Sequence, residues 1–154
     1  MDVRFATPRD YKEFNAVYVM YQQRGLPKKA ENYAKPFDEK QFVEEAANSI
    51  VLAVDEAGAI HGFANIADIG DGTIKIYDFF SVKADFEVEQ QILKYVEDIA
   101  RELGFKRLML WNFDLEDDGR LYHLGFKCVM VGDGTYDDDG NEHKKATDEF
   151  EKLL

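Results

Sequence analysis

The sequence is poor in cysteine and in long apolar runs. Its one cysteine, Cys128, can form no internal disulfide, and it stands in the alternating run 127–131, where we expect a small buried thiol. No apolar run approaches the ~20 residues of a membrane-spanning helix, and the first residues lack the charged and apolar regions of a secretory signal. We therefore expect a cytoplasmic protein with no membrane partner.

Positive charge is also scarce. Nineteen Lys and Arg residues stand against thirty-one Asp and Glu residues, which gives a formal net charge of −12. The resulting field opposes direct binding to nucleic acid or anionic membranes and favours a small amine or a basic protein as the partner. Acidic composition also serves solubility alone, so the charge does not choose between these partners.

Length and composition predict one domain. The 154 residues are 45% hydrophobic and 14% aromatic, which is ample for a single packed core. No internal repeat, low-complexity tract or linker divides the chain. We expect a single domain over residues 1–154, and the sequence leaves its oligomeric state open between monomer and homodimer.

Capping residues and apolar spacing predict three long helices. The first begins in 7–10, where a threonine cap precedes proline at the first helical position, and it ends at Gly25. Asp38 caps the second helix. Apolar residues at steps of three and four predict a third helix from Val88 to Leu103, which Gly104 ends.

Short apolar runs bounded by turn residues predict the strands. They lie at 3–5, 49–54, 59–67, 73–82, 108–111, 128–131 and 144–154. Tight turns at Gly58 and Gly72 join the second, third and fourth strands into an antiparallel meander. The long helix between the fourth and fifth strands makes a right-handed crossover, which requires that pair to be parallel. The sheet is therefore mixed, with six or seven strands.

Two stretches carry a family resemblance. The run Ile74–Val82 passes through 83–86 directly into an amphipathic helix, and Leu121–Phe126 reads Leu-Tyr-His-Leu-Gly-Phe. With the order of the elements, they resemble the GNAT superfamily of acyl-CoA-dependent N-acetyltransferases over most of the chain. The resemblance implies a single α/β domain with a mixed, mostly antiparallel sheet, and transfer of an acetyl group from acetyl-CoA to an amine.

The resemblance also implies where acetyl-CoA would bind. Main-chain groups of the fourth strand, where it separates from the fifth, hold the pantetheine in this family, and the equivalent residues are Phe80, Ser81 and Val82. The basic, glycine-rich loop that holds the pyrophosphate in the family is replaced here by a shorter acidic stretch, Glu87, Val88, Glu89 and Gln90. Each carboxylate close to the dianion would cost on the order of 1 kcal/mol. We therefore expect acetyl-CoA to bind weakly or not at all.

Tyr122 is the candidate for the tyrosine that protonates the leaving thiolate in the family. It precedes Gly125 by three residues, whereas the family spacing is four, and one residue on a helix is a rotation of about 100°. Counted from the glycine, Leu121 holds the family position. Tyr122 is thus either the general acid or a packing or surface aromatic.

For the base that takes the amine proton, the candidates are Asp78, Tyr77 and Asp68, and the sequence does not distinguish between them. Two functions from different classes remain open. One is an N-acetyltransferase. The other is a catalytically inactive protein of the same fold that acts by binding, as an acidic mimic of nucleic acid or as a regulator of a basic protein.

An acidic run near the C-terminus could suggest calcium binding. A calcium loop anchored on Gly140 would need acidic residues at positions 135 and 146, where the chain has Thr135 and Ala146. We therefore expect residues 137–141 to form a solvated turn, and we expect no metal site.

Overall fold

The computed structural model describes residues 1–24, 35–112, 118–130, 135–136, 142–143 and 148–154. Its strands are β1 (Asp2–Phe5), β2 (Ile50–Val54), β3 (Ile60–Gly70), β4 (Thr73–Ser81), β5 (Arg107–Asn112), β6 (Lys127–Met130), β7 (Thr135–Tyr136), β8 (Glu142–His143) and β9 (Asp148–Leu153). Its helices are α1 (Tyr11–Arg24), α2 (Glu39–Ser49), α3 (Phe86–Glu102) and α4 (Asp118–His123). None of the helices in these ranges is long and apolar enough to cross a membrane.

Seven strands form one mixed sheet in the order β1-β2-β3-β4-β5-β9-β6, and β7 and β8 form a separate two-stranded sheet. The predicted parallel pair is confirmed, because β4 and β5 run in the same direction from Thr73 opposite Arg107 to Ile76 opposite Leu110. The pairs β1–β2, β2–β3, β5–β9 and β6–β9 are antiparallel. The predicted α/β class, with a mostly antiparallel mixed sheet, is therefore correct, and seven of the described strands form that sheet.

The chain divides into two compact units. The first comprises Met1–Ile66 and Asp78–Val96, and the second comprises Ala67–Tyr77 and Glu97–Leu154. Aromatic rings dominate the core of the first unit: the Phe14 ring lies 5.0–5.5 Å from the rings of Phe42, Phe37 and Phe63. The core of the second unit is built from Leu108, Leu110, Leu121, Leu124, Phe126 and Phe150. The extent of the domain, 1–154, stays a prediction.

The predicted cap of the second helix is present, whereas the Thr7 side chain before the first helix makes no cap hydrogen bond. Asp38 accepts a hydrogen bond from the Gln41 N–H at 2.8 Å and so starts α2. Before α1, the carboxylate of Asp10 accepts from the Thr7 N–H at 2.7 Å, and Pro8–Asp10 form one tight 3₁₀ turn. The regular α-helix therefore begins only at Tyr11. The predicted end of this helix, Gly25, lies outside the described residues.

The third helix begins earlier than predicted. It starts at Phe86 rather than Val88, because Asp85 caps it: its Oδ1 accepts from the Glu87 N–H at 3.0 Å and from the Val88 N–H at 3.4 Å. The predicted stop is confirmed, since Gly104 has φ +85°, a conformation that glycine adopts without strain.

The C-terminal part differs from the prediction in two ways. Cys128 is half-buried rather than buried, because β6 is the edge strand of the sheet and leaves Met130 58% exposed. The short pair β7–β8 was not predicted, and the expected turn at 137–141 between them lies outside the described residues. The last strand, expected from 144, is described from Asp148. Within the described ranges, no group of three or more His, Cys, Asp or Glu residues could hold a metal ion.

Asp10 also makes the stability of the protein depend on pH. Both of its oxygens accept from the Arg4 guanidinium, at 2.8 and 2.9 Å. This pairing is the main reason that the pKa of Asp10 falls from 3.8 to about 2, against the opposing effect of burial. Because the folded pKa is the lower one, the ion pair stabilises the protein above the unfolded pKa, and this contribution is lost as the pH falls towards about 2.

We expect Asp10→Asn to lower the free energy of unfolding by about 1 kcal/mol at neutral pH, after allowance for solvent screening, and by much less near pH 2. Urea unfolding at both pH values measures the difference. Asp38→Asn is the matched control, because Asp38 also caps a helix and its described hydrogen bond comes from a main-chain amide. An equal loss at both pH values for Asp10→Asn would show that the pairing with Arg4 contributes nothing.

Candidate active site

Asp78 lies at the centre of a polar cluster in the first unit. The hydroxyl of Tyr21 donates to Asp78 Oδ1 at 2.9 Å. The side-chain amide of Asn65 donates to Oδ2 at 3.4 Å, which is at the long end of the hydrogen-bond range. Asp78 is half-buried. A carboxylate oxygen accepts more than one hydrogen bond, so Oδ2 keeps the capacity to bind an ammonium group.

One strand and one helix, β4 and α1, position the side chains of this cluster. Side chains alternate along β4, so Asp78 and Phe80 share one face of the sheet. Tyr18 and Tyr21 are three residues apart in α1, which places them on one face of the helix with their rings 6.1 Å apart. The Tyr21 ring lies 5.5 Å from that of Phe63 and 5.6 Å from that of Phe80. These buried rings therefore hold the Tyr21 ring, whose hydroxyl contacts the Asp78 carboxylate.

The pKa values of the two phenols in the cluster, Tyr18 and Tyr21, are both raised. Burial raises the pKa of Tyr21, and the charge of Asp78 raises it further, while Arg24 acts in the opposite direction. Burial is also the main cause of the raised pKa of Tyr18, followed by the charge of Asp78. Both phenols therefore remain protonated at neutral pH, and Tyr21 serves as a hydrogen-bond donor to the carboxylate.

The residues predicted to hold the pantetheine lie at the end of β4. The described pairing of β4 with β5 ends at Ile76, and β4 continues to Ser81. Phe80 is only 5% exposed and belongs to the aromatic core. Val82 follows the strand, and its N–H donates to the His61 carbonyl at 2.8 Å.

Ser81 and Glu89 are brought together, but in a network internal to the chain. The Ser81 hydroxyl donates to Glu89 Oε2 at 2.8 Å, and the Asp85 N–H donates to Ser81 Oγ at 2.7 Å. Glu89 is 9% exposed. Its carboxylate therefore points into the protein and braces the connection between β4 and α3.

The first amide groups of α3 are already bonded. The carboxylate of Asp85 accepts from Glu87 and Val88, and the Asp85 carbonyl accepts from the Glu89 N–H at 3.1 Å. Glu87 and Gln90 are exposed, whereas Val88 is buried. A pyrophosphate at this helix start would have to displace a carboxylate, so the residues present here do not fit that part of acetyl-CoA.

Solved structures of similar architecture cover almost the whole chain. The PaiA N-acetyltransferase from Thermoplasma acidophilum, in complex with coenzyme A, is 14% identical, with 99% of this chain and 98% of that chain aligned and a TM-score of 0.75. A GNAT superfamily phosphinothricin acetyltransferase from Sinorhizobium meliloti, in complex with AcCoA, is 17% identical, with 99% and 88% covered and a TM-score of 0.75. The chain has the GNAT fold. A ribosomal-protein-alanine N-acetyltransferase from Brucella melitensis is 15% identical over 100% of both chains, with a TM-score of 0.74. No protein-family model and no curated protein sequence matches the chain.

In this GNAT-fold chain, the predicted general acid lies in the second unit. Tyr122 is 53% exposed on α4, and its ring lies 5.7 Å from that of Phe150. Leu121, which holds the family position by the glycine count, is buried. The role of Tyr122 as general acid stays a prediction.

The three candidates for the base occupy different surroundings. Asp68 is exposed and accepts from the Gly70 N–H at 2.9 Å, as turn residues do. Tyr77 is 47% exposed, and the ammonium of Lys75 lies 4.6 Å from its ring centre. Asp78 is half-buried and accepts from two side chains, which makes it the one of the three with the setting of a site carboxylate.

Tyr21, Asn65 and Asp85 were not among the predicted site residues. Tyr21 lies in the first helix, and its contact with Asp78 joins positions 57 residues apart, which local spacing cannot reveal. The cap at Asp85 had a signal in the sequence, since an aspartate directly precedes a helix with Glu87 and Glu89 in its first turn.

The main chains of β3 and β4 lie close together where Gly62 faces Phe80. A Cβ atom at Gly62 would lie 2.7 Å from the Phe80 carbonyl oxygen and 3.1 Å from side-chain atoms of Ile92 and Val88. We expect Gly62→Ala to lower the free energy of unfolding by about 1–3 kcal/mol, because a main-chain oxygen cannot move aside cheaply.

Urea unfolding measures the effect of Gly62→Ala, with Gly119→Ala as the control. Gly119 lies in α4, where an added Cβ would meet no atom within 4 Å. The control should be neutral or stabilised by up to about 1 kcal/mol, since alanine favours a helix over glycine. If Gly62→Ala matched this control, the tight approach to β4 would be refuted.

Proposed function

We propose that the chain is an N-acetyltransferase that transfers an acetyl group from acetyl-CoA to a positively charged amine bound at Asp78. The observation that carries the proposal is the half-buried Asp78 carboxylate, which accepts a hydrogen bond from Tyr21, whose ring packs on Phe80. The likeness to solved N-acetyltransferases supports the reaction class, although fold alone does not assign an activity.

The amine arrives as an ammonium ion and must lose a proton before its lone pair can attack. Asp78 Oδ2 binds the ammonium and then accepts that proton, while the Tyr21 hydroxyl keeps Oδ1 occupied and the carboxylate oriented. Acetyl-CoA supplies the acetyl group as a thioester. Main-chain groups of β4 beyond Ile76 would hold its pantetheine, and Tyr122 stays the predicted donor of a proton to the thiolate.

The first test is product formation. Incubation with acetyl-CoA and a panel of primary amines, followed by mass spectrometry, should show an acetylated amine and release of free CoA in equal amounts. A corresponding panel of tertiary amines, which have no N–H to lose, is the control. Absence of any acetylated primary amine at millimolar donor would refute the transfer.

Because the first amide groups of α3 already have hydrogen-bond partners, we expect acetyl-CoA to bind weakly. Calorimetric titration should give a dissociation constant for acetyl-CoA of about 1 mM, near −4 kcal/mol, where a complete phosphate site would give micromolar affinity near −8 kcal/mol. Asp85→Ala should tighten binding by about two- to fivefold, because it frees two amide groups and removes a negative charge at the positive end of the helix. Asp38→Ala is the matched control, since it removes the same kind of cap from α2. Micromolar binding by the unmodified protein would contradict this expectation.

A second function, binding without catalysis, is favoured by the same helix start. Asp85 places a carboxylate at the helix start where the donor phosphates would lie, and its oxygen already accepts from the Glu87 amide there. In that case the protein would show no acetyl-CoA binding and no product. It would instead bind a basic protein partner with an affinity that falls steeply as salt is added.

A further inference from the structure

Within the described residues, one face of the sheet in the second unit is left open. On the other face, Glu97 of α3 forms an ion pair with Lys152 of β9. Tyr122 of α4 packs there on Phe150, two residues away in the same strand. The residues of β9 that alternate with these two, and the residues opposite them in β5, lie on the face away from both helices. This open face consists of Lys75, Tyr77, Arg107, Trp111, Glu149, Glu151 and Leu153.

Large apolar side chains are exposed on the open face. Trp111 is 42% exposed, Tyr77 47% and Leu153 63%. The Lys75 ammonium lies 3.4 Å from the centre of the Trp111 ring and 4.6 Å from that of the Tyr77 ring. These cation–π contacts hold both rings in place, so the rings lose little freedom when a partner covers them. Exposed aromatic rings of this kind are enriched at protein interfaces.

The charges of the open face are balanced, although those of the whole chain are not. Its cations are Lys75 and Arg107, and its carboxylates are Glu149 and Glu151. The chain as a whole has a net charge of −12. Among the described residues, Glu149 and Glu151 have no ion-pair partner. An acidic face would suit a basic partner, whereas a face with both signs suits a partner that also presents both.

We propose that the open face is the interface of a homodimer, in which it packs on the same face of a second copy of this chain. Two-fold symmetry makes such an interface self-complementary, so cations of each copy can meet carboxylates of the other. Two sheets pack face to face about 10 Å apart with interdigitating side chains, which suits the projecting Trp111 and Tyr77 rings. The net charge of −12 makes two copies repel each other, and a face of balanced charge adds least to that repulsion. The dimer does not depend on acetyl transfer.

Sedimentation velocity of the chain alone tests the proposal. At about 100 µM protein, a species of twice the mass of one chain should be present, and it should dissociate on dilution. Leu153→Asp, which adds a charge to the open face, should raise the dissociation constant of the dimer at least about tenfold. Leu103→Asp is the matched control, because Leu103 is 70% exposed and follows α3, which lies on the other face of the sheet. Circular dichroism checks that each variant is folded.

A second variant tests the balance of charge. Glu149→Lys with Glu151→Lys makes every charge of the open face positive, while it makes the chain less acidic overall. If overall charge governed association, this double variant would strengthen the dimer. The proposed interface predicts the opposite, a dissociation constant at least about tenfold higher, because like charges then face each other.

Three results would overturn the proposal. They are a monomer at every concentration, equal weakening of the dimer by Leu153→Asp and Leu103→Asp, and a stronger dimer in the double lysine variant. A monomeric chain that binds a basic protein, with Leu153→Asp weakening that binding, would assign the face to a different partner and would also overturn it. Since neither acetyl-CoA nor an amine is present, none of these results bears on the proposed acetyl transfer.

Discussion

Asp78→Asn lowers kcat/KM for amine acetylation by about 10²–10⁴, the usual contribution of a general base. The asparagine side chain has nearly the same shape and can still accept from Tyr21, but it can neither attract an ammonium by charge nor take its proton. Steady-state rates with a fixed amine measure the loss, and circular dichroism checks that the variant is folded.

The matched control for this substitution is Asp68→Asn. Asp68 is an exposed aspartate at the end of β3, and its described hydrogen bond comes from the Gly70 N–H, which an asparagine can also accept. We expect its rates to stay within about twofold of those of the unmodified protein, because substitutions of exposed residues outside the candidate active site have small effects. If Asp78→Asn lowered kcat/KM by no more than this control does, Asp78 would not be the base.

Lys152→Met should destabilise the second unit by about 3–5 kcal/mol. The Lys152 ammonium lies 2.5 Å from Glu97 Oε1 and donates to the Leu124 carbonyl at 2.8 Å. The Glu97 side chain is only 10% exposed, so removal of the lysine leaves a buried carboxylate without its counter-charge. Urea unfolding followed by circular dichroism measures the loss.

Two further variants separate the ion pair from simple packing. Lys127→Met changes an exposed lysine on β6 and should alter the free energy of unfolding by at most about 0.5 kcal/mol. The double variant Glu97→Leu with Lys152→Met should recover most of the loss, because apolar residues of similar volume can replace a buried ion pair. A double variant no more stable than Lys152→Met alone would show that the charge of Glu97 is not the cause.

The sequence predicted most of the fold because its elements end at residues with clear local signals. Asp38 caps α2, Gly104 ends α3 in a left-handed conformation, and the order of strand, helix and strand required the parallel β4–β5 pair. The start of α3 was misplaced by two residues, since the apolar spacing was counted from Val88 and the cap at Asp85 was not used. Strands of two residues, such as β7, contain too few positions to show an alternating pattern.

The site was predictable only in part. Asp78 and Ser81 could be chosen because they lie on the strand that the resemblance assigns to the site. Their partners could not, because Tyr21 reaches Asp78 across 57 positions, a contact that depends on how α1 packs on the sheet. Glu89 was expected to face the donor, yet the hydroxyl of Ser81 holds it inside the protein. Local spacing identifies the face of an element, but it does not identify what that face meets.

The rate of CoA release as a function of acetyl-CoA concentration, at a saturating amine, tests the account most directly. This rate depends on both central features, a carboxylate at Asp78 that acts as the base and a helix start whose amides are already hydrogen-bonded to Asp85. The account predicts amine-dependent release of CoA that reaches half its maximum at about 1 mM acetyl-CoA, as expected for binding near −4 kcal/mol. Half-saturation at micromolar acetyl-CoA, or no amine-dependent release at any concentration, would contradict it.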